Sequence, residues 1–220
     1  MKKAFVTVIL MGILVLTACV PAQEPTSGPT QTSEVSEMPT PLPQPSPTPT
    51  EAAPEPLTLE ESAETIIQAL AEKDLETVAE FVHPEMGLRF SPYTYVEDDH
   101  QVFMPGELPG LVGSDQVYLW GFYDGTGDPI ELTFDEYYQQ FVYSADFANP
   151  EEMAVDVELG WSNMINNITE YYPGSSFVEY HFSGFEEDYD GMDWVSLRLV
   201  FLQEDGTWFL VGVVHDQWTI

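Results

Sequence analysis

Trp194-Val-Ser-Leu-Arg-Leu-Val-Phe-Leu-Gln-Glu-Asp-Gly-Thr-Trp-Phe-Leu-Val-Gly-Val-Val-His-Asp-Gln-Trp218 decides the architecture of this chain. Asp205-Gly206 stands between two runs of β-branched, aromatic and aliphatic residues, the pattern of a tight hairpin. Strands are predicted over Trp194–Gln203 and Thr207–Trp218, with a third over Phe177–Gly184 just upstream. Apolar residues fill both hairpin arms, so another layer must cover them.

Polar residues in these strands depend on register. Side chains alternate with period two, so Glu179 and His181 share one face of the third strand. A two-residue turn at Asp205-Gly206 would set Ser196 opposite His215 and Arg198 opposite Val213. Arg198, Ser196 and His215 would then share a face. A three-residue loop would set Arg198 opposite Gly212 and send His215 to the other side; both registers stay open. In the first register Glu179, His181, Arg198 and His215 line a cavity where a carboxylate and an imidazole do acid–base work and an arginine holds an anion. The competing explanation is structural: arginine in a carboxylate-rich protein forms ion pairs, and strand histidines hydrogen-bond locally.

Upstream the chain turns helical. Thr58-Leu-Glu-Glu61 is a capping box, and Leu59, Ala63, Ile66, Ile67, Leu70 and Ala71 recur at helical spacing. Asp74 caps a second short helix that stops before Pro84. Gly87–Val96 alternates and reads as extended; Asp98–Gln116 reads as a long loop. Val117–Tyr123 reads as a strand turning through Asp124–Asp128. A second capping box, Thr133-Phe-Asp-Glu136, starts a third helix running to about Tyr143. Asn149-Pro150-Glu151-Glu152 carries helix-start chemistry. Residues 153–176 have an ambiguous period and receive no assignment.

The N-terminal quarter cannot join a core. Met1-Lys2-Lys3 followed by the apolar run Ala4–Leu16 is too short to span a bilayer and fits a signal-peptide core. Leu16-Thr17-Ala18-Cys19 ends it, and Cys19 is the sole cysteine. This resembles the lipobox of bacterial lipoproteins, which implies cleavage after residue 18 and acylation of Cys19. The predicted partner is then a lipid bilayer, held through acyl chains at about 0.8 kcal/mol per buried methylene. The expected location is the extracytoplasmic face of the cell membrane, or an outer membrane in a two-membrane envelope. Val20 is not the Asp associated with inner-membrane retention. Residues 20–56 contain 11 of the 18 prolines and no aromatic residue. They read as an extended, disordered tether, and residues 57–220 as one α+β domain.

Composition narrows the partners. The formal net charge is −33, and such a surface repels nucleic acid. The lone cysteine excludes an internal disulfide and the cysteine-rich zinc patterns. The acidic loops Asp124–Asp128 and Glu186–Asp193 miss the EF-hand spacing, with Pro129 where that loop needs glycine. No metal and no cofactor are expected, and no G-x-S-x-G, H-E-x-x-H or phosphate-binding loop is present.

Ala69-Leu-Ala-Glu-Lys-Asp-Leu75, Phe81-Val-His-Pro84 and Glu204-Asp-Gly-Thr-Trp-Phe-Leu-Val211 are similar to the helix pair and closing hairpin of the nuclear transport factor two-like fold. Ser91-Pro-Tyr-Thr-Tyr95, Gly191-Met-Asp-Trp194 and His215-Asp-Gln-Trp-Thr-Ile220 resemble a group of uncharacterised bacterial lipoproteins. The first resemblance implies a curved antiparallel sheet wrapped against about three helices, with a pocket at its open end. It implies no activity. The leading expectation is a non-catalytic binding or assembly module. The alternatives are a ketosteroid isomerase- or polyketide cyclase-like enzyme using a pair such as Glu179 and His181, and a cation-binding surface protein.

Overall fold

Thr58 opens helix α1, Leu59–Glu72, by the reciprocal bonds of its capping box: Glu61 N–H donates to Thr58 Oγ1 and Thr58 N–H to Glu61 Oε2. The computed structural model describes residues 56–219. The expected signal peptide, Cys19 and the expected tether through residue 55 lie outside them. Lys73 ends α1 in the left-handed region at φ 57°, and Asp74 caps α2, Leu75–Phe81. The apolar face of α1 is buried as its spacing predicts, except that Ala71 faces solvent and Ala69 is buried instead.

Six strands form one sheet in the order β2-β1-β8-β7-β6-β5. They are β1 Leu88–Ser91, β2 Val102–Phe103, β5 Glu152–Val155, β6 Ser176–Phe182, β7 Val195–Glu204 and β8 Thr207–Gln217. The fold is α+β, but the sheet is mixed rather than antiparallel throughout, because β1 runs parallel to β8. Among the described residues β1 is the first strand of the chain and β8 the last, so the long stretch between them supplies the crossover that a parallel pair needs. A separate hairpin pairs β3, Val117–Phe122, with β4, Pro129–Thr133.

Three expectations need correction. Glu152 begins strand β5 rather than a helix: Glu151 N–H and the β5 backbone pair with β6, and the Glu151 carboxylate accepts from Ser183. The 98–116 region holds β2 and a 3₁₀ turn at Leu108–Gly110, not loop alone. The helices also exceed three, since α4, Ile168–Tyr171, forms inside the unassigned stretch. The expected third helix is α3, Phe134–Tyr137, continuing as a π-helical turn over Tyr138–Val142, where Tyr143 N–H bonds the Tyr138 carbonyl.

The sheet is buried on both sides. On one face Val178, Tyr180, Leu197, Leu199, Phe201 and Val213 meet α1, α2 and α3 in the main core. Trp120 stacks on Tyr137 there at 3.9 Å, with Phe90 edge-on to both and Phe134 edge-on to Phe90. The other face carries Phe177, Val200, Val211 and Val214, and packs against Val96, Ile168 and Tyr172. Residues 156–175 therefore form a strap over that second face.

The hairpin turn has two residues, as Asp205-Gly206 predicts, with φ 49° and 85° and Glu204 opposite Thr207. The expected pairing holds only to Phe201 opposite Leu210. A β-bulge inserts Val211, so Val200 then pairs with Gly212, Arg198 with Val214 and Ser196 with Asp216. Each β8 side chain beyond the bulge changes face relative to a plain ladder.

Candidate functional site

Arg198 is fully buried on the strap side of the sheet and uses all five N–H donors. Nε donates to Glu179 Oε2 at 2.8 Å and Nη2 to Glu179 Oε1 at 3.2 Å. Nη1 donates to Thr94 Oγ1 at 2.7 Å and Asp216 Oδ2 at 2.9 Å, and Nη2 reaches the Gly160 carbonyl at 3.2 Å. β6 and β7 place Glu179 directly opposite Arg198, and the bulge in β8 brings Asp216 to the same face. The fork geometry of guanidinium suits this bidentate pairing.

Gly160 closes the network from above. Its N–H donates to Glu179 Oε1 at 2.8 Å. A Cβ at this position would lie 2.3 Å from the Trp194 ring and 2.5 Å from Ser196 Oγ. Only glycine lets the strap backbone come this close.

Burial opposes the charge on Arg198, but the adjoining Glu179 and Asp216 carboxylates outweigh it and raise its pKa. Burial pushes the Asp216 carboxyl up to about 6, although Arg198 pulls the other way. Glu179 takes two of the guanidinium donors and Asp216 one, so Asp216 is the weaker partner. Its second oxygen is buried without a hydrogen bond among the described residues.

The sequence-nominated residues are thus partly assembled. Glu179 and Arg198 pair directly. His181 lies on the same face, bonded through Nδ1 to Ser196 Oγ at 2.8 Å, and burial lowers its pKa. His215 is on the opposite face, edge-on to Phe141 at 5.6 Å, with Nε2 3.2 Å from Gln217 Oε1. Complete burial pushes its pKa down to about 4. His215 thus lies on the face that the three-residue loop would give it, but the turn has two residues and the bulge makes the change. Thr94, Gly160 and Asp216 are not nominated by the sequence, although alternation from Gly212 opposite Arg198 would put Asp216 on the Arg198 face.

One of several surface clefts lies beside this network. A cleft of ≈ 470 Å³ is walled by Tyr93, Tyr95, Phe122 and Tyr123, with Glu97 and Asp124 among its lining. None of Glu179, His181, Arg198 or His215 lines it. β3 bulges between Leu119 and Phe122, and Gly121 at φ 136° brings its backbone against the His100 ring. Met164 and Ile165 of the strap close the far side. Tyr95, Phe122 and Ile165 are 45%, 48% and 74% exposed, so the rim is apolar and open.

Among the described residues one group has metal-type ligands: Glu97, Asp99 and His100, one atom each within 4.8 Å of one another. His100 Nδ1 faces Glu97 N–H at 3.3 Å and Ser91 Oγ at 3.0 Å. A backbone N–H can only donate, which assigns the lone pair to Nδ1 and the hydrogen to Nε2. Nε2 is the nitrogen on the carboxylate side, 4.0 Å from Glu97 Oε2. A hydrogen-bearing nitrogen cannot ligate a cation. No family model and no curated protein sequence matches the chain.

Proposed function

We propose that residues 57–220 form a non-catalytic binding module, carried outside the cell by an acylated Cys19 and an extended tether. One observation carries the choice against the enzyme reading. Glu179 has both oxygens committed to Arg198 and Gly160, in a network with no exposed surface at Glu179 or Arg198. A general base needs a free lone pair within reach of substrate, and Glu179 has no surface open to solvent. A concave apolar cleft with a few polar groups is instead the usual form of a ligand site.

The anchor rests on Leu16-Thr17-Ala18-Cys19 and the proline-rich segment after it. Among the described residues no helix is long and apolar enough to cross a membrane. The helix pair and the closing hairpin support a nuclear transport factor two-like shape, from whose antiparallel pattern the β1–β8 pair departs.

The binding reading is tested by screening a small-molecule fragment mixture against the full chain by NMR. Shifts confined to Tyr93, Tyr95, Phe122 and their neighbours, lost in Phe122→Ala, are expected. Shifts centred on Glu179 and His181, or none anywhere, would defeat it. Acyl labelling that disappears in Cys19→Ala is the matching expectation for the anchor, and an unmodified Cys19 thiol with the leader attached would refute it.

A further inference from the structure

We propose that the cleft between the 92–100 turn, the β3–β4 hairpin and the strap takes an organic ammonium cation. This deepens the binding reading above and rests on it. Four aromatic side chains, Tyr93, Tyr95, Phe122 and Tyr123, meet two carboxylates, Glu97 and Asp124, in one concavity, and no lysine or arginine lines it.

Among the described residues no lysine or arginine pairs with these carboxylates. Arg89 is the nearest guanidinium, and its Nη1 is held by the carbonyl oxygens of Glu97, Asp98 and His100 at 2.8–3.1 Å. Its guanidinium carbon lies 5.3 Å from the Tyr171 ring centre, and it forms no ion pair. The Glu97 carboxylate is 49% exposed, and His100 Nε2 stands 4.0 Å from it. A cation entering the cleft relieves that charge while its substituents cover the exposed rings.

Chemistry separates this ligand from its competitors. A bare divalent ion needs several oxygen or nitrogen ligands and has no use for aromatic walls. The one nitrogen near Glu97 and Asp99 carries a hydrogen. A neutral apolar molecule would bury Glu97 further without compensating it, at a desolvation cost. An ammonium with alkyl groups satisfies both parts, since cations bind ring faces for about 0.5–2 kcal/mol and pair with carboxylates. An anionic ligand is repelled by the cleft and by a chain of net charge −33.

Choline and its neutral, shape-matched analogue 3,3-dimethylbutan-1-ol are the probes, titrated into the full chain at constant ionic strength by calorimetry and NMR. Choline should bind at least tenfold more tightly and shift the cleft resonances. Glu97→Gln should remove most of that preference, and Asp188→Asn, in the distant 186–193 loop, should not. Glu97 is half-exposed, so Glu97→Gln should unfold at the parent temperature. Equal affinity for the two probes would overturn the cation proposal and leave the binding reading standing. Neither probe shifting the cleft, while the fragment screen does, has the same consequence; silence in both experiments overturns both. Saturable calcium binding lost in His100→Ala, with choline inert, would overturn it in favour of a metal.

Discussion

Arg198 stands between two buried carboxylates, and the balance of that cluster fixes what its removal does. Deleting one partner of a buried pair leaves uncompensated charge and costs about 3–5 kcal/mol. Arg198→Met should therefore lose about that much stability in urea unfolding at pH 7. Glu179 and Asp216 would then sit buried without a cation, and burial disfavours the charged form of a carboxylate and raises its folded pKa. Such groups give stability that is full below the unfolded pKa and is lost as pH rises through the folded one. The deficit of Arg198→Met should accordingly shrink on going from pH 7 to pH 5. A pH-independent deficit would mean that packing, not charge, is what Arg198 supplies.

The same linkage gives His215 and Asp216 opposite signs although they are adjacent. His215 titrates near 4 when folded against 6.5 in the open chain. The unfolded state binds its proton first, so this contribution is complete above 6.5 and is lost as pH falls towards 4. Asp216 titrates near 6 against 3.8, so its contribution is complete below 3.8 and lost as pH rises towards 6. One proton corresponds to about 1.4 kcal/mol per pH unit. Between pH 4 and 6, His215→Leu should make the stability–pH curve rise less steeply than the parent's, and Asp216→Asn should make it rise more steeply. Urea midpoints at four pH values measure both, and the comparison with the parent cancels the background charge repulsion. Shifts of the same sign in the two variants would contradict the assignment.

At the scale of elements, the strap is the part whose attachment can be counted. Asn167 accepts from Val96 N–H at 2.7 Å and donates to the Val96 carbonyl at 3.0 Å; Asn163 bonds the Thr219 carbonyl. Asn167→Ala strands two buried backbone groups, a cost of about 1–3 kcal/mol each if unsatisfied. Hydrogen exchange should show protection falling across 157–175 and around Val96 while β6, β7 and the lower half of β8 keep theirs. Uniform loss would show the strap to be one cooperative unit with the sheet.

The strap also shows what the sequence can and cannot carry. Asp205-Gly206 announces the hairpin because the turn chemistry is local, and Thr58 and Thr133 announce helices for the same reason. The bulge has no such marker: Val211-Gly-Val-Val214 satisfies either face, and only three-dimensional pairing selects one. Residues 157–166 defeat a periodic reading because their inward residue is Gly160, while Trp161 and Ile165, 85% and 74% exposed, point out. Glu179 opposite Arg198 follows from alternation, whereas Tyr95, Phe122 and Ile165 meet in the cleft from three separate segments.

For the whole molecule the governing quantity is charge. Only Lys73, Arg89 and Arg198 are basic among the described residues, and each is engaged. Lys73 pairs with Asp135 beside the Tyr138 ring, Arg89 is held by three carbonyls, and Arg198 is sealed under the strap. The accessible surface thus presents carboxylates with almost no cations between them, and a net charge of −33 repels itself most in the compact state. Screening length falls from about 30 Å at 0.01 M salt to about 3 Å at 1 M. The melting temperature should therefore climb with sodium chloride, most steeply below about 0.1 M, where neighbouring carboxylates first become screened. The internal pairs work against this only weakly, because Arg198 and Glu179 are out of contact with solvent and salt screens buried charges little. Melts from 0.01 to 1 M at pH 7 decide the matter. A flat profile would mean that the surface charge is already neutralised by bound counter-ions, and the acidity could then no longer be read as a demand for salt.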